Sequence, residues 1–219
     1  MRKLKIYCAG PLFNDKEREE MTDIASSLET ANFDVFLPHR DGIEFSKISD
    51  RLLEQGYQPK EANLLLSTAI FFIDTYKVAD SDGLVINLNG RVPDEGAVVE
   101  AGIAWSLNIP VVIYKNDSRS KINGTDNPLV LGLSSFRVVN RVSAIVEEFN
   151  KHFSNSNNFR KSHSNGVTIP SFKNGKKLYR IFSNYDITKR KNINRLAKVL
   201  RGWEEKRGIE NVAGKEHLR

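Results

Sequence analysis

Four short runs of this 219-residue chain are apolar at most positions: LKIYCA (4–9), FDVFL (33–37), LVINL (84–88) and IPVVIY (109–114). A strand with one wet face alternates polar and apolar residues. Runs this short and this continuous, closed by Gly10-Pro11, Pro38 and a Gly90/Pro93 turn, read instead as strands buried on both faces of a parallel sheet. The segments between them carry helical spacing. Asn14 caps the first helix, with Glu17 as its capping-box partner and Met21, Ile24, Ala25 and Leu28 on its apolar face. Ala62, Leu65, Leu66, Ala69, Ile70, Ile73 and Tyr76 mark a long helix from Lys60 to about Ala79, Asp94 to Leu107 a third, and Ala144 to Phe149 the last of the body.

Strands alternating with helices in this way imply a three-layer α/β domain, Rossmann-like (flavodoxin-like), with a central parallel sheet. Active sites in that architecture lie beyond the carboxyl ends of the strands. His39 to Gly42 and residues 115–128 read as polar loops, and 43–59 as short helices broken by Gly56 and Pro59.

Charge divides the chain. Residues 1–150 hold 16 Lys+Arg and 22 Asp+Glu, whereas 151–219 hold 17 and five. The overall charge of +6 therefore describes neither part. The expected organisation is an α/β domain over 1–153 and a basic C-terminal extension over 154–219. The extension holds a polar linker (154–166), apolar pieces suited to a hairpin (167–185) and a basic helix after Asp186. That helix places Ile193, Leu196, Ala197, Leu200 and Trp203 on one face. Packing of this face is the favoured role, and nucleic-acid binding by the basic face the less favoured one. The single cysteine, Cys8, permits no intramolecular disulfide, and no run of about 18 apolar residues exists to span a bilayer. A cytoplasmic protein without membrane contact is expected. The four histidines show no metal-ligand spacing, so neither a metal nor a cofactor is expected.

One carboxylate stands out. The helix DEGAVVEAGIAWSL (94–107) is apolar almost all round, which normally means burial, yet it carries Glu100. At three and four residues' distance stand Gly96, Ala97, Ile103 and Ala104, none able to neutralise it. Glu100 must reach a pocket, a distant partner or a substrate. Asp74, Asp94 and Tyr7 invite attention as well, each with an ordinary alternative. Asp74 could pair with Lys77, Asp94 could be an N-cap, and Tyr7 could be a core tyrosine.

The combination KIYCAGPLF (5–13), FLPHRDG (36–42), Asp74 with Asp82, DEGAVVEAGIA (94–104) and DSRSKINGTDNPLV (117–130) resembles the nucleoside 2-deoxyribosyltransferase family over about residues 3–150. The resemblance implies that Glu100 is the nucleophile that takes deoxyribose on C1′, oriented by Tyr7. It implies that Asp74 exchanges a proton with the base, and that Asp94 binds the sugar 5′-hydroxyl. Gly10, Phe13, Gly96, His39 and Asp41 would line the substrate pocket. Asn127 and Leu129 would enter the site of a neighbouring subunit in a homo-oligomer built from dimers. The substrates would be a deoxynucleoside and a free nucleobase. Departures are Gly96-Ala97-Val98 where the family carries Gly-Thr-Ala, Leu129 where Met is common, and the extension itself.

Two alternatives stand beside transfer. A nucleoside or nucleoside 5′-monophosphate N-glycosidase would use the same nucleophile with water as acceptor. A non-catalytic nucleoside- or nucleotide-sensing module would need no nucleophile at all. A carboxylate at Asp94 repels a 5′-phosphate, which favours a free 5′-hydroxyl. No GxGxxG follows the first strand, which argues against a dinucleotide-dependent dehydrogenase.

Overall fold

The apolar runs lie side by side. In the computed structural model, which describes residues 2–42, 45–90, 92–117, 126–154, 172–186 and 189–207, they form β1 (Lys5–Ala9), β2 (Asp34–Phe36), β3 (Gly83–Asn87) and β4 (Val111–Tyr114). A two-residue β5 (Val138–Val139) completes a sheet ordered β2-β1-β3-β4-β5, parallel throughout. The helices are α1 (Asp15–Thr30), α2 (Pro38–Asp41), α3 (Phe45–Glu54), α4 (Pro59–Ala79), α5 (Glu95–Ser106), α6 (Pro128–Gly132), α7 (Val142–Ser154), α8 (Phe172–Asn184) and α9 (Arg190–Arg207). By its contacts the chain divides into two compact units: Met1–Asp41 with Lys77–Ile169, and Gly42–Tyr76 with Pro170–Arg219.

The first unit is the α/β domain. Ile6 and Cys8 of β1, Val85 of β3, and Val112 and Tyr114 of β4 share one core with Met21, Ile24, Ala25 and Leu28 of α1 and with Ile145 and Phe149 of α7. Strand side chains alternate, so Tyr7, Leu84 and Ile86 turn to the opposite face. There α5 packs on β1, β3 and β4, with Ala97, Ala101 and Ala104 buried. The strand order reverses between β1 and β3, and the crevice used by such folds opens at the carboxyl ends there. The start of α1 follows the capping signal: Asn14 Oδ1 accepts from the Glu17 N–H at 3.0 Å, and Glu17 accepts from the Phe13 N–H at 2.8 Å.

Several local expectations change. Residues 38–41 form a helical turn in place of a loop, because Pro38 presets its first position and Asp41 accepts from the Leu37 N–H at 2.8 Å. Helix α5 is buried on one side only, since Val99 and Trp105 are each 59% exposed. The hairpin expected within 167–185 is, from Phe172 onward, helix α8. Its inward residues Gly175 and Leu178 recur at helical spacing, and residues 167–171 lie outside the described part.

The second unit is helical. Ile48 and Leu52 of α3, Ala62 and Leu66 of α4, and Ile193 of α9 form its core, flanked by Tyr57, Leu65 and Phe182. Leu196, Ala197 and Leu200 are buried with Ile193, as the sequence spacing requires, while the Trp203 side chain lies outside the described residues. The compact units thus cut the chain differently from a boundary after residue 153, because α8 and α9 pack with Gly42–Tyr76. The linker expected at 154–166 lies outside the described residues beyond Ser154.

Helix α8 touches α4 at Gly175. A Cβ there would run into the carbonyl oxygen of Phe72 and the Cβ of Tyr76, and the Tyr76 ring meets Phe172 edge-on at 5.1 Å. Gly175→Ala should therefore cost about 1–3 kcal/mol, the usual range for overpacking. Gly132→Ala, where nothing lies within 4 Å of the added carbon, should be neutral by comparison. Urea unfolding of the two variants checks this, and equal stability would refute the close approach.

Candidate functional site

The distant partner that Glu100 requires is Tyr7. Its hydroxyl donates to Glu100 Oε1 at 2.6 Å, joining the middle of β1 to the second turn of α5. Tyr7 is fully buried, and its ring stacks on Phe36 at 5.5 Å between centroids. Lys77 lies over the same Phe36 ring at 4.4 Å. A tyrosine pinned by neighbouring strands has almost no freedom to follow a moving carboxylate. The hydrogen bond therefore holds the carboxylate in one rotation. Glu100 itself is half-buried.

Asp94 has its ordinary role and room for another. It is the N-cap of α5, with Oδ1 accepting from the Ala97 N–H at 2.6 Å, while Oδ2 makes no hydrogen bond among the described residues. Gly96, exposed in the first turn, would bring a Cβ to 3.2 Å from that same Oδ1. Gly10, just after β1, leaves no space for a side chain, because a Cβ would press on the Met21 sulfur and on Asn87. Its place in the motif has a packing cause. Phe13 is 79% exposed after β1. His39 is exposed on α2, and partial burial followed by Arg18 and Arg40 lowers its pKa, which keeps the ring neutral at pH 7. Asp41 is held by the Leu37 N–H and by Arg40.

A polar network at the end of β3 had no signal in the motifs. Glu20 of α1 accepts from Asn87 Nδ2 at 3.0 Å and from Asn89 Nδ2 at 2.6 Å. Asn87 Oδ1 accepts from the Asn89 N–H, and Asn89 Oδ1 from the Asn116 N–H, each at 2.9 Å. Asp117 accepts from the Gly90 N–H at 2.8 Å. One carboxylate thereby orients both amides and fixes the chain leaving β3 toward α5. The polar pattern Asn87-x-Asn89 after an apolar strand was the available clue. In the sequence Glu20 is indistinguishable from a solvated charge on α1.

Lys115, at the end of β4, is buried and pairs with Asp126 at 2.7 Å, with side-chain exposures of 1% and 11%. A buried pair of this kind is strongly destabilising to break. It ties the strand end to the residue before Asn127, with 118–125 outside the described residues. Asn127 caps α6 by accepting from the Leu129 N–H at 2.9 Å, and Leu129 is 84% exposed.

Asp74 belongs to the helical unit, on α4. It forms no ion pair among the described residues, so the i,i+3 pair with Lys77 is not made. Burial alone pushes its carboxyl up to about 7. A carboxyl that titrates near neutrality can both give and take a proton under ordinary conditions.

Comparison with known proteins gives these features a family. The chain is similar to a conserved protein from Enterococcus faecalis V583, with 26% identity over 69% of this chain and 99% of that one, and a TM-score of 0.51. A 2-deoxyribosyltransferase from Bacillus psychrosaccharolyticus shows 20% identity over 65% and 90%, with a TM-score of 0.49. A CMP N-glycosidase from Clostridium botulinum shows 12% over 68% and 98%, with a TM-score of 0.40. Comparison with curated proteins returned no match. The sequence model of the nucleoside 2-deoxyribosyltransferases matches residues 6–164, most of the chain and the whole of the motif-bearing region. This chain belongs to the nucleoside 2-deoxyribosyltransferase family.

Proposed function

We propose that the protein transfers 2-deoxyribose from one nucleobase to another through a covalent intermediate on Glu100, with retention at C1′. The observation that carries this reading is the 2.6 Å hydrogen bond from Tyr7 to Glu100. A phenol fixed on a buried strand holds the carboxylate in one orientation, as attack on C1′ requires. In the first step a Glu100 oxygen bonds to C1′ as the bond from C1′ to the base nitrogen breaks, and the leaving base takes a proton from Asp74. In the second step the incoming base returns a proton to Asp74 and attacks C1′, which frees Glu100. Asp94 Oδ2, with Oδ1 committed to the helix cap, accepts from the 5′-hydroxyl.

The same reading gives the exposed apolar residues a use. Val99 and Trp105 on α5 and Leu129 on α6 would be covered by a second copy of the chain, which would also bring its Asn127 to the site. Trp105→Glu should then lower the mass seen by light scattering, and an unchanged mass would remove this part of the proposal.

Incubation with a deoxynucleoside and a different free base should yield the exchanged nucleoside. Free base and deoxyribose as the only products would assign an N-glycosidase instead, and no turnover would assign a sensor. Glu100→Ala should abolish exchange. Tyr7→Phe should slow it about tenfold to a hundredfold, matching about 1.5–3 kcal/mol for a hydrogen bond to a charged group.

Asp74 makes a separate prediction through stability. Its folded pKa of about 7 lies above the ordinary 3.8, so between these values the native state keeps a proton that the unfolded chain releases. Stability should fall as pH rises through that window and level off above it. Asp74→Asn should remove up to about 4 kcal/mol of that decline, at about 1.4 kcal/mol per pH unit across the window. Urea midpoints at acidic and slightly alkaline pH decide it, and parallel declines in the two proteins would refute the raised pKa.

A further inference from the structure

Helices α8 and α9 line an open cleft of about 570 Å³ within the helical unit. Its walls carry Lys177 and Arg180 from α8 and Arg195 and Lys198 from α9, and among the described residues no carboxylate lines it. Ile181 and Val199 add apolar lining, and Tyr185 lines the cleft as well. The Tyr185 ring is 47% exposed and carries the Arg195 guanidinium 4.7 Å from its centroid. The surrounding sequence reinforces the sign, with nine Lys+Arg and one acid, Asp186, between Phe172 and Leu200.

Four like charges converging on one concavity repel each other in the free protein. Solvation of an amphipathic helix does not require that arrangement, because the apolar face of α9 is already satisfied by burial of Ile193, Leu196, Ala197 and Leu200. The polar faces were free to diverge, yet they converge on a cleft. We infer that this cleft binds single-stranded nucleic acid. The phosphodiester backbone would be held by Lys177, Arg180, Arg195 and Lys198, and a base would lie against the Tyr185–Arg195 pair.

The lining favours that ligand over other polyanions. A strand presents alternating charged phosphates and flat apolar bases, which is what cations beside apolar lining with one aromatic plane would recognise. An anionic membrane presents headgroups with no flat base to lie against the Tyr185–Arg195 pair. An acidic peptide would give no use to an arginine-stacked ring open to solvent. The site lies outside residues 6–164, so it is independent of the reaction proposed above and its failure would leave that reaction untouched.

The test uses the full chain and fluorescent oligonucleotides of about 20 nucleotides, long enough to fill any single-strand groove of this kind. Anisotropy should show binding to single-stranded DNA or RNA in preference to duplex, with the two single strands compared separately. The logarithm of affinity should fall with the logarithm of salt with a slope of about −3, the value for four phosphate contacts on a single strand. Replacing Lys177, Arg180, Arg195 and Lys198 together with Gln should weaken binding about a hundredfold or more in about 50 mM salt and flatten the slope. The same charge removed at Lys16, Arg137, Arg141 and Lys151 should change affinity less than about threefold, as befits long-range screening. Tyr185→Ala should weaken binding about tenfold and leave the salt slope unchanged, which separates stacking from charge. Circular dichroism confirms that each variant is folded. No binding by the wild-type chain in low salt, equal losses in the two charge variants, or binding to phosphatidylserine vesicles but not to oligonucleotides would each overturn the inference.

Discussion

The hydrogen bond between Tyr7 and Glu100 ties together two parts of the α/β domain that need a fixed relation, the inner strand β1 and the helix α5 packed on the sheet. It exists because β1 is buried on both faces. A strand with a wet face would place a polar residue opposite Ile6 and Cys8, whereas this one can place a tyrosine ring in the core and aim its hydroxyl outward along α5. Ala97, Ala101 and Ala104 bring the helix close enough for that reach. The energetics also explain why Glu100 is only half-buried. A hydrogen bond to a carboxylate contributes about 1.5–3 kcal/mol, and full burial of that carboxylate costs several. A hydrogen bond of that size does not offset complete desolvation, and Glu100 stays half-buried with part of its surface open.

The carboxyl ends of β3 and β4 extend the same logic. Strand ends leave backbone groups that must find partners. Here they are met by side chains that also act on each other: Glu20 on Asn87 and Asn89, Asn89 on Asn116, Asp117 on Gly90, and Lys115 on Asp126. Buried polar networks of this kind are stable only when every member is satisfied, which makes the rim of the sheet rigid. Burial and Glu20 raise the Tyr114 phenol further above its ordinary range, so it stays protonated beside this network, hydrogen-bonded to Asn89.

Much of the α/β domain was legible in the sequence because its signals are local. Apolar runs at the right length, the Asn14–Glu17 cap and the spacing of Met21, Ile24, Ala25 and Leu28 each act within a few residues. Glu100 was legible as an anomaly, and only its partner, 93 residues away in sequence, was not derivable from spacing. The misses have physical causes. Helix α6 and strand β5, at five and two residues, are too short to show a period. The hairpin expectation arises because the short apolar pieces VTIPSF and KLYRIF of 167–182 each suit a strand when read separately, whereas helix α8 runs from Phe172 and includes only the second in full. Its true spacing appears only when Gly175 is counted as an inward residue. Glu20 was invisible because a glutamate on a solvated helix looks the same whether or not an amide lies beneath it.

The helical unit poses a question of charge that its core does not answer. Residues 170–219 carry 14 Lys+Arg and five Asp+Glu, and Asp74 sits in the same unit with a carboxyl raised to about 7. Were those cations placed to tune Asp74, they would lower its pKa, because a nearby positive charge favours the ionised form. Burial acts in the other direction and sets the raised value, with no described cation acting against it. Nor do the cations of α8 and α9 serve packing, since the buried residues of α9 are Ile193, Leu196, Ala197 and Leu200 with the polar Asn192. Cations gathered on one cleft are suited to an anionic ligand.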